Sequence, residues 1–409
     1  MSQGIEQNDA PVKARRHFMG AAGAGLAGLL LSGQHSAQAQ LAAESGSPSV
    51  MIERRGINRE LNIINPEQLE EDAKKTVYTD AEYVFVAHGS GKQWTLNENQ
   101  RAWGDHVLVP RRMQGVVRER IDLRTTLLGQ GASMPIIVTP FGSHGIHHPE
   151  AELATARGAH AAGTILSVSS ASTASMEDIA QATPGPKFFQ MYLNVDEGVS
   201  RETLQRVRPA GFQAVILTID AIGQGSSDAY IASGRARPWL PYGNFPKGGA
   251  NAFKTNLSWA DVDFIRKITG LPVIIKGVTT VADAQAAVKA GAAAIQVSNH
   301  GGRALDGTPA SITVLPQIAD AVKGAVPIIM DSGIRRGTDV AKALALGANA
   351  VAVGRPLMYS LALGGAKGVE SLLKYLQGEL VDAMLHLQVY RPAELGRQHV
   401  APSATARNR

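Results

Sequence analysis

Eight short apolar runs, each followed by polar or glycine residues, constrain the fold of this chain more than any other feature. They begin after Met134 and alternate with Ala-rich segments in which apolar residues recur at helical spacing. Near-continuous apolar runs are typical of strands that are buried on both faces of a parallel sheet. We predict strands at 135–139, 164–168, 188–193, 214–220, 272–276, 294–298, 327–331 and 350–354. This α/β alternation favours a closed (β/α)8 TIM barrel over an open doubly wound sheet, and no GxGxxG follows the first run.

The segment 280–291 illustrates the linking helices. Thr280 is placed to cap the first turn, with Asp283 three residues further on, and Gly291 is placed to end the helix. The apolar residues between them share one face: Val281, Ala284, Ala287 and Val288.

The remaining segments divide around the barrel. We predict a helical N-terminal lead-in at 40–133 packed on a barrel at 134–390, and a C-terminal tail at 391–409. Residues 221–256, after the fourth strand, are rich in Gly, Pro and aromatic residues and show no clear helical pattern. A long loop at this end of a barrel lies over the catalytic face, so we interpret it as a lid.

The first 39 residues have the pattern of a cleaved export signal. Arg15 and Arg16 follow Lys13 and precede an apolar run at 18–31, and Ala37-Gln38-Ala39 follows that run. The arrangement resembles a twin-arginine signal, which directs folded proteins across a membrane. We therefore expect a periplasmic protein that begins near Gln40 and receives any tightly held cofactor before export.

Composition limits the chemistry of the site. The chain has no cysteine, which excludes disulfides, thiolate metal sites and Cys-attached haem in this chain. The net charge of +5 is scattered, which favours small anionic partners over nucleic acid. No later apolar stretch reaches membrane-spanning length, so we do not expect an integral membrane protein.

His144, His147 and His148 cluster after the first strand, but no further ligand group accompanies them, so we expect surface or pocket-lining histidines and no metal.

The carboxyl ends of the predicted strands carry the polar residues that chemistry requires. The turns after strands seven and eight combine glycines with arginines, a pattern that suits a bound phosphate. These residues are Gly333, Arg335, Gly354 and Arg355. The turns indicate a phosphorylated cofactor.

His300 is the candidate catalytic base. It lies among glycines at the end of strand six, and Asp220 at the end of strand four is placed to orient its ring. Lys276 ends a buried strand, where an ammonium is costly unless electron-rich groups match it. It could stabilise negative charge on a reduced flavin ring or pair with a carboxylate at a strand end.

These motifs together resemble the FMN-dependent 2-hydroxy acid oxidase/dehydrogenase family, which includes glycolate oxidase, lactate oxidase, L-lactate dehydrogenase and mandelate dehydrogenase. The resemblance runs from about residue 61 to 387. It rests on Gln93-Trp94-Thr95-Leu96-Asn97-Glu98-Asn99, Phe188-Phe189-Gln190-Met191-Tyr192, Ser298-Asn299-His300-Gly301-Gly302-Arg303 with Leu305-Asp306, and 331–347.

The resemblance implies the roles of individual residues. FMN would be the cofactor, with its ring contacted by Thr139, Pro140, Ser169, Gln190, Thr218, Lys276 and Ser298. Its phosphate would be held by Asp331, Gly333, Arg335, Gly354 and Arg355 in the turns after strands seven and eight. His300 would take a proton from an (S)-2-hydroxy acid as two electrons pass to flavin N5, with carbanion and hydride routes both open. Arg303 would bind the substrate carboxylate and Tyr192 would hydrogen-bond the substrate.

Two positions that bind the substrate carboxylate in the family carry different residues in this chain. Phe85 stands for a tyrosine and Ser227 for an arginine, and each lost donor costs about 1–3 kcal/mol. Arg235 or Arg237 in the lid could compensate. Pro140-Phe141-Gly142 replaces the usual Pro-Thr-Ala, and Ala171 replaces a tryptophan, which enlarges the pocket.

These departures leave two enzymatic hypotheses and one binding hypothesis. The first is oxidation of a lactate-like or bulkier 2-hydroxy acid to the 2-oxo acid. The second is oxidation of an alcohol or amine that lacks the carboxylate, and the third is flavin or ligand binding without turnover. Intact His300, Asp220, Arg303 and Lys276 argue against a pure binder. We expect no fused haem domain, so oxygen, a quinone and a separate cytochrome remain open as acceptors, and the family resemblance implies a homo-oligomer such as a tetramer.

Overall fold

A closed barrel of eight parallel strands organises the computed structural model, and the strands follow one another around it in chain order. The structure describes residues 56–223, 225–234, 238, 240–245 and 252–407. The proposed signal at 1–39 and the lid residues Arg235 and Arg237 lie outside these ranges. The predicted fold class is confirmed.

The lead-in precedes the barrel. Its described helices and strands are α1 (Pro66–Thr76), α2 (Asp80–Ala87), α3 (Trp94–Arg101), β1 (His106–Leu108), β2 (Thr125–Leu127) and β3 (Gln130–Ala132). Thr79 and Glu82 form a reciprocal capping box that starts α2. This helix ends at Ala87, where its last carbonyls meet the catalytic face of the barrel.

The barrel strands match the predicted runs, with ends that differ by at most two residues. They are β4 (Ile136–Phe141), β5 (Leu166–Ser169), β6 (Lys187–Met191), β7 (Ala214–Thr218), β8 (Val273–Val278), β9 (Ala294–Val297), β10 (Ile328–Met330) and β11 (Ala350–Val353). Alternate residues point inwards and outwards, so Ile137 joins the cluster inside the barrel while Ile136 and Val138 join the layer under the helices. Both layers are buried, which explains why the runs read as continuously apolar.

Helices surround the strands. In the described residues they are α4 (Ala151–Ala161), α5 (Met176–Ala182), α6 (Glu197–Val207), α7 (Asp228–Ala232), α8 (Ala260–Thr269), α9 (Val281–Lys289), α10 (Ser311–Val322), α11 (Gly337–Ala345) and α12 (Arg355–Leu387). The capping prediction for α9 is confirmed, because Thr280 Oγ1 accepts a hydrogen bond from the Asp283 amide. α12 is two helical segments that meet at Gly365.

The loop after β7 corrects one expectation. The sequence shows no clear helix there, yet α7 forms at Asp228–Ala232. Ser227 caps it, since its Oγ accepts from the Tyr230 amide at 3.3 Å. A helix of five residues is too short for a periodic pattern to reveal, so only the cap could have indicated it.

The C-terminal segment returns to the lead-in. β12 (Val400–Pro402) pairs antiparallel with β1, and α13 (Ala404–Arg407) follows it. Within the described ranges, no helix combines the length and apolarity needed to traverse a bilayer.

Candidate active site

His300 and Asp220 meet at the carboxyl ends of the strands, as predicted. His300 Nδ1 lies 2.9 Å from Asp220 Oδ1. Burial opposes ionisation of Asp220, but the nearby His300 and Lys276 outweigh it and hold the pKa of this carboxyl below its usual value. An ionised carboxylate only accepts hydrogen bonds, so His300 Nδ1 carries the proton and Nε2 presents a lone pair.

The turn that carries His300 is held in a left-handed conformation. His300 has φ 60° and Gly301 has φ 64°. The His300 amide donates to Ser298 Oγ at 3.1 Å, so Ser298, which the resemblance implies contacts the cofactor, here supports the turn of the base. On the far side of the ring, Nε2 lies 3.4 Å from the Tyr192 hydroxyl. The predicted base, its orienting carboxylate and the tyrosine therefore form one cluster.

Gly277 makes room for Asp220. Its φ is 104°, and an added Cβ would lie 2.6 Å from Asp220 Cγ. A side chain at this position would therefore push the carboxylate away from His300. Gly277 belongs to no motif in the sequence, and its position directly after Lys276 was the available signal.

The strand ends also present hydrogen-bonding groups that lack protein partners. Ser169 Oγ donates to Gln190 Oε1 at 2.8 Å, which leaves Gln190 Nε2 buried and unpartnered. Thr218 Oγ1 is buried and unpartnered as well. Lys276 Nζ has Asp331 Oδ2 at 3.9 Å, beyond hydrogen-bonding distance. Buried donors without acceptors are costly, and the carbonyl oxygens of a flavin ring are the kind of acceptor that matches them.

A polar network around Asp331 lies next to these groups at the strand ends. Asp331 Oδ2 accepts from Gln296 Nε2 at 2.7 Å and faces Thr139 Oγ1 at 3.4 Å. Asp331 Oδ1 accepts from Ser332 Oγ, which in turn accepts from the Gly301 amide. The network joins the turns after β9 and β10. Sequence reasoning missed Gln296 because it lies inside a strand and belongs to no motif, and it included Ser332 only within the range 331–347.

The predicted phosphate turns lie side by side. Gly333 has φ 83°, and an added Cβ would lie 1.9 Å from the Asn99 carbonyl oxygen. Gly354 precedes α12, and its added Cβ would lie 3.0 Å from a methyl carbon of Thr139, beside Pro140. Arg335 donates to the Ile334 carbonyl at 3.0 Å. Half-buried glycines next to a helix N-terminus suit a phosphate, so the residues present fit FMN at both its ends.

Two arginines converge on the C-terminal turn of α2. Arg355 donates to the carbonyls of Val86, His88 and Gly301 at 2.9, 3.2 and 2.8 Å, and its burial lowers its pKa to about 10. Arg303 Nη1 donates to the Phe85 carbonyl at 2.7 Å, and its guanidinium lies 5.1 Å from the centre of the Phe85 ring. The C-terminal end of a helix is partially negative, which favours both contacts. The predicted contact of Arg355 with a phosphate stays a prediction.

The two departures from the family pattern are visible in the structure. Phe85 packs under Arg303 and offers no hydroxyl, and Ser227 is occupied as the cap of α7. Ala171 is buried beside Gly142, where an added Cβ would lie 3.1 Å from the Ala171 carbonyl oxygen. Phe85 and Ser227 therefore supply fewer carboxylate donors than the family pattern.

The three clustered histidines correct an expectation. His144, His147 and His148 are all buried rather than at the surface. His147 Nδ1 lies 2.6 Å from the Tyr78 hydroxyl and His144 Nδ1 lies 2.9 Å from Thr155 Oγ1. Burial lowers the pKa of His144 and of His148. They belong to the packing around α4 and Tyr78, which lies between α1 and α2.

A reciprocal amide pair joins the lead-in to the catalytic turn. Asn99 Nδ2 donates to Asn299 Oδ1 at 2.8 Å, and Asn299 Nδ2 donates back to Asn99 Oδ1 at 2.7 Å. Both side chains are buried. In the sequence, Asn99 and Asn299 stand out only as members of the family motifs. Nothing in their spacing indicates that they touch.

The fold and the site define a class: a (β/α)8 enzyme with a His–Asp base beside a pocket for a phosphorylated flavin. Comparison with known proteins agrees. The FMN-dependent dehydrogenase family model matches residues 73–402. This chain belongs to that family and is an FMN-dependent oxidoreductase.

Individual relatives are similar over most of their length. Glycolate oxidase 3 of Oryza sativa subsp. indica is 42% identical over 335 residues, covering 78% of this chain and 91% of the relative. L-lactate oxidase of Lactobacillus jensenii is 42% identical over 335 residues, covering 79% and 81%. A crystal structure of mandelate oxidase superposes with a TM-score of 0.78 at 36% identity, covering 84% of this chain and 99% of that one.

Proposed function

We propose that this protein oxidises an (S)-2-hydroxy acid, lactate-like or bulkier, to the corresponding 2-oxo acid. The observation that carries the proposal is the His300–Asp220 pair. The unprotonated Nε2 of His300 faces the Tyr192 hydroxyl, beside the buried Gln190 and Thr218 groups that match a flavin ring. FMN, when bound, supplies the two-electron acceptor. The similar glycolate, lactate and mandelate oxidases support this substrate class.

His300 moves the proton. Because Asp220 fixes the proton on Nδ1, Nε2 is the basic atom and takes a proton from the substrate. The imidazolium that results is stabilised by the Asp220 carboxylate, whose lowered pKa keeps it ionised. Tyr192 lies on the same side of the ring and is placed to hydrogen-bond the substrate hydroxyl.

Three other residues bind the substrate or stabilise negative charge. Arg303 is tied through Nη1 to the end of α2, so its charge is held in place to attract the substrate carboxylate. Burial raises the pKa of Tyr192, so it remains a neutral donor. Lys276, buried at the wall that carries Gln190 and Thr218, stabilises negative charge at that wall.

The alternative substrate, an alcohol or amine without a carboxylate, is less well supported. Phe85 and Ser227 motivate it, because neither supplies a charged donor. Arg303 nevertheless retains a guanidinium at the pocket, and the similar proteins above are named for acids. We therefore favour the acid.

Anaerobic mixing with matched substrates tests the proposal. Purified enzyme is mixed with L-lactate, L-lactamide and 1,2-propanediol, and with the analogues in which phenyl replaces the methyl group of each, while the visible flavin band is followed. We expect bleaching by the acids at least tenfold faster than by the amides or diols. Faster bleaching by the uncharged compounds would overturn the proposal in favour of the alternative, and no bleaching by any compound would favour a binding protein.

We also propose that the protein is exported to the periplasm by the twin-arginine route. The Arg15-Arg16 pair, the apolar run and the small-residue site that follows support this in the sequence. A double Arg15→Lys, Arg16→Lys variant of the full chain should remain in the cytoplasmic fraction, whereas the wild type should be periplasmic. Equal periplasmic recovery of both would contradict it.

The oligomer and the electron acceptor are part of the same proposal. The family resemblance supports a homotetramer, which light scattering of the purified protein would report as four times the chain mass.

Oxygen, a quinone or a separate cytochrome would reoxidise the flavin. After anaerobic reduction, the rate of flavin reoxidation is measured with each candidate acceptor. A candidate that reoxidises the flavin no faster than the control without acceptor is rejected.

A further inference from the structure

A cavity of about 360 Å³ opens between α2 and α7, beside Arg303. Neither His300 nor Tyr192 is among the described residues that line it. A water-sized group occupies ~30 Å³, so the cavity has room for roughly a dozen such groups, far more than a carboxylate needs. Volumes of this order are typical of small-molecule pockets.

The cavity carries one cation and is otherwise uncharged along its described lining, where apolar and polar residues are mixed. Arg303 is the only cation among its described lining residues, and these include no carboxylate. Val84 and Phe85 of α2 form one side. Ile231 of α7 lies at the mouth, with 66% of its surface exposed. An elongated molecule with one anionic end and an apolar tail matches this arrangement.

The remaining lining residues add no second charge. Burial, then Arg355 and Arg303, lower the pKa of His88, so this imidazole is neutral. Ser227 is small and is already engaged as the cap of α7. The wall is therefore uncharged along the path from Arg303 to the mouth.

We propose that this cavity binds the apolar tail of the substrate, and that the enzyme prefers 2-hydroxy acids with extended aliphatic chains over lactate. The inference rests on the proposed function. Its geometric basis is independent, since it depends on a cavity that opens where Phe85 and Ser227 depart from the family pattern.

Binding of straight-chain monocarboxylates to the FMN-loaded enzyme tests the inference without turnover. These acids lack the 2-hydroxyl and cannot be oxidised, and their dissociation constants are measured by calorimetry from acetate to octanoate. We expect affinity to rise up to about fourfold per methylene, the factor that ~0.8 kcal/mol per buried CH2 represents. Affinity that is independent of chain length would overturn the inference.

A matched pair of variants locates the tail. Ile231→Trp fills the mouth and should remove most of the chain-length dependence. Ile64→Trp changes an isoleucine that is also 66% exposed but does not line the cavity, and should retain that dependence. Equal chain-length dependence in the two variants would contradict the assigned place of the tail.

Oxidation of a 2-hydroxy acid series separates this inference from the proposed function. Rising kcat/KM from lactate to 2-hydroxyoctanoate supports both. Bleaching by lactate alone would retain the proposed function and overturn the inference. Chain-dependent binding of the monocarboxylates without bleaching by any hydroxy acid would retain the cavity and overturn the proposed function.

Discussion

At the scale of single residues, the account depends on how Asp220 holds His300. The 2.9 Å contact fixes the imidazole tautomer, and the lowered pKa of Asp220 keeps the carboxylate ionised across about pH 5 to 8. In Asp220→Asn, the amide can still accept from Nδ1 but cannot stabilise the imidazolium. We expect anaerobic flavin reduction to slow by about 10²–10⁴-fold.

The control for this prediction is Asp263→Asn, an exposed carboxylate on α8 that pairs with Arg266. It removes a charge of the same kind away from the site and should leave the rate unchanged. An Asp220→Asn rate within threefold of the wild type would contradict the orienting role.

Gly277 gives a second test at this scale. In Gly277→Ala, the added carbon meets Asp220 Cγ at 2.6 Å and also strains a backbone with φ 104°. We expect a loss of about 1–3 kcal/mol in the free energy of unfolding and a marked fall in the rate of flavin reduction. Urea unfolding and stopped-flow absorbance measure the two effects.

Gly211→Ala separates strain from displacement of the carboxylate. Gly211 has φ 84° but no atom within 4 Å of its added Cβ. It should lose similar stability while keeping the wild-type reduction rate. Equal loss of rate in both variants would mean that Asp220 is not the affected group.

At the scale of elements, the lead-in is part of the active site. The Asn99–Asn299 pair joins α3 to the turn that carries His300, and both amides are buried. Asn99→Leu leaves Asn299 without this partner, so we expect a loss of about 1–3 kcal/mol in the free energy of unfolding. Asn97→Leu, on the exposed face of the same helix, should change it little. Equal unfolding midpoints for the two variants in urea would contradict the role of the pair.

The elements differ in how far the sequence could predict them. The eight barrel strands were found because burial on both faces leaves a continuous apolar run. The helix α7 was missed because five residues are too few to show a period. His300, Asp220 and Lys276 could be placed because strand ends meet on one face of a barrel.

Contacts between distant segments could not be predicted in the same way. The Arg355 bonds to α2 and the Asn99–Asn299 pair join residues more than 190 positions apart, and no local pattern encodes them. The three clustered histidines were expected at a surface or lining a pocket because polarity alone does not reveal burial beside Tyr78 and α4. Side-chain partners such as Tyr78 for His147 appear only when the chain is folded.

At the scale of the whole molecule, buried histidines make stability depend on pH. Burial is the largest cause that lowers the pKa of His144 and of His148. Below about pH 6.5 the unfolded chain binds protons that these folded imidazoles resist, so stability is fully present above that pH and falls as the pH drops. We expect the free energy of unfolding in urea to be lower at about pH 5.5 than at about pH 7.5.

His144→Gln tests the origin of this dependence. It removes one buried imidazole and should flatten the pH dependence, even if overall stability falls. His386→Gln changes an exposed histidine and should leave the dependence as it is. Stability that rises on acidification, or the same pH dependence in both variants, would contradict the assignment.

The central claim is that His300 acts as the base beside a bound FMN. Its most direct test is anaerobic single-turnover mixing of an (S)-2-hydroxy acid with wild-type and His300→Asn enzymes whose visible spectra show equal FMN content. We predict that the wild-type flavin bleaches in one phase and that the variant bleaches at least 10²-fold more slowly. Bleaching at the same rate in both enzymes would contradict the account.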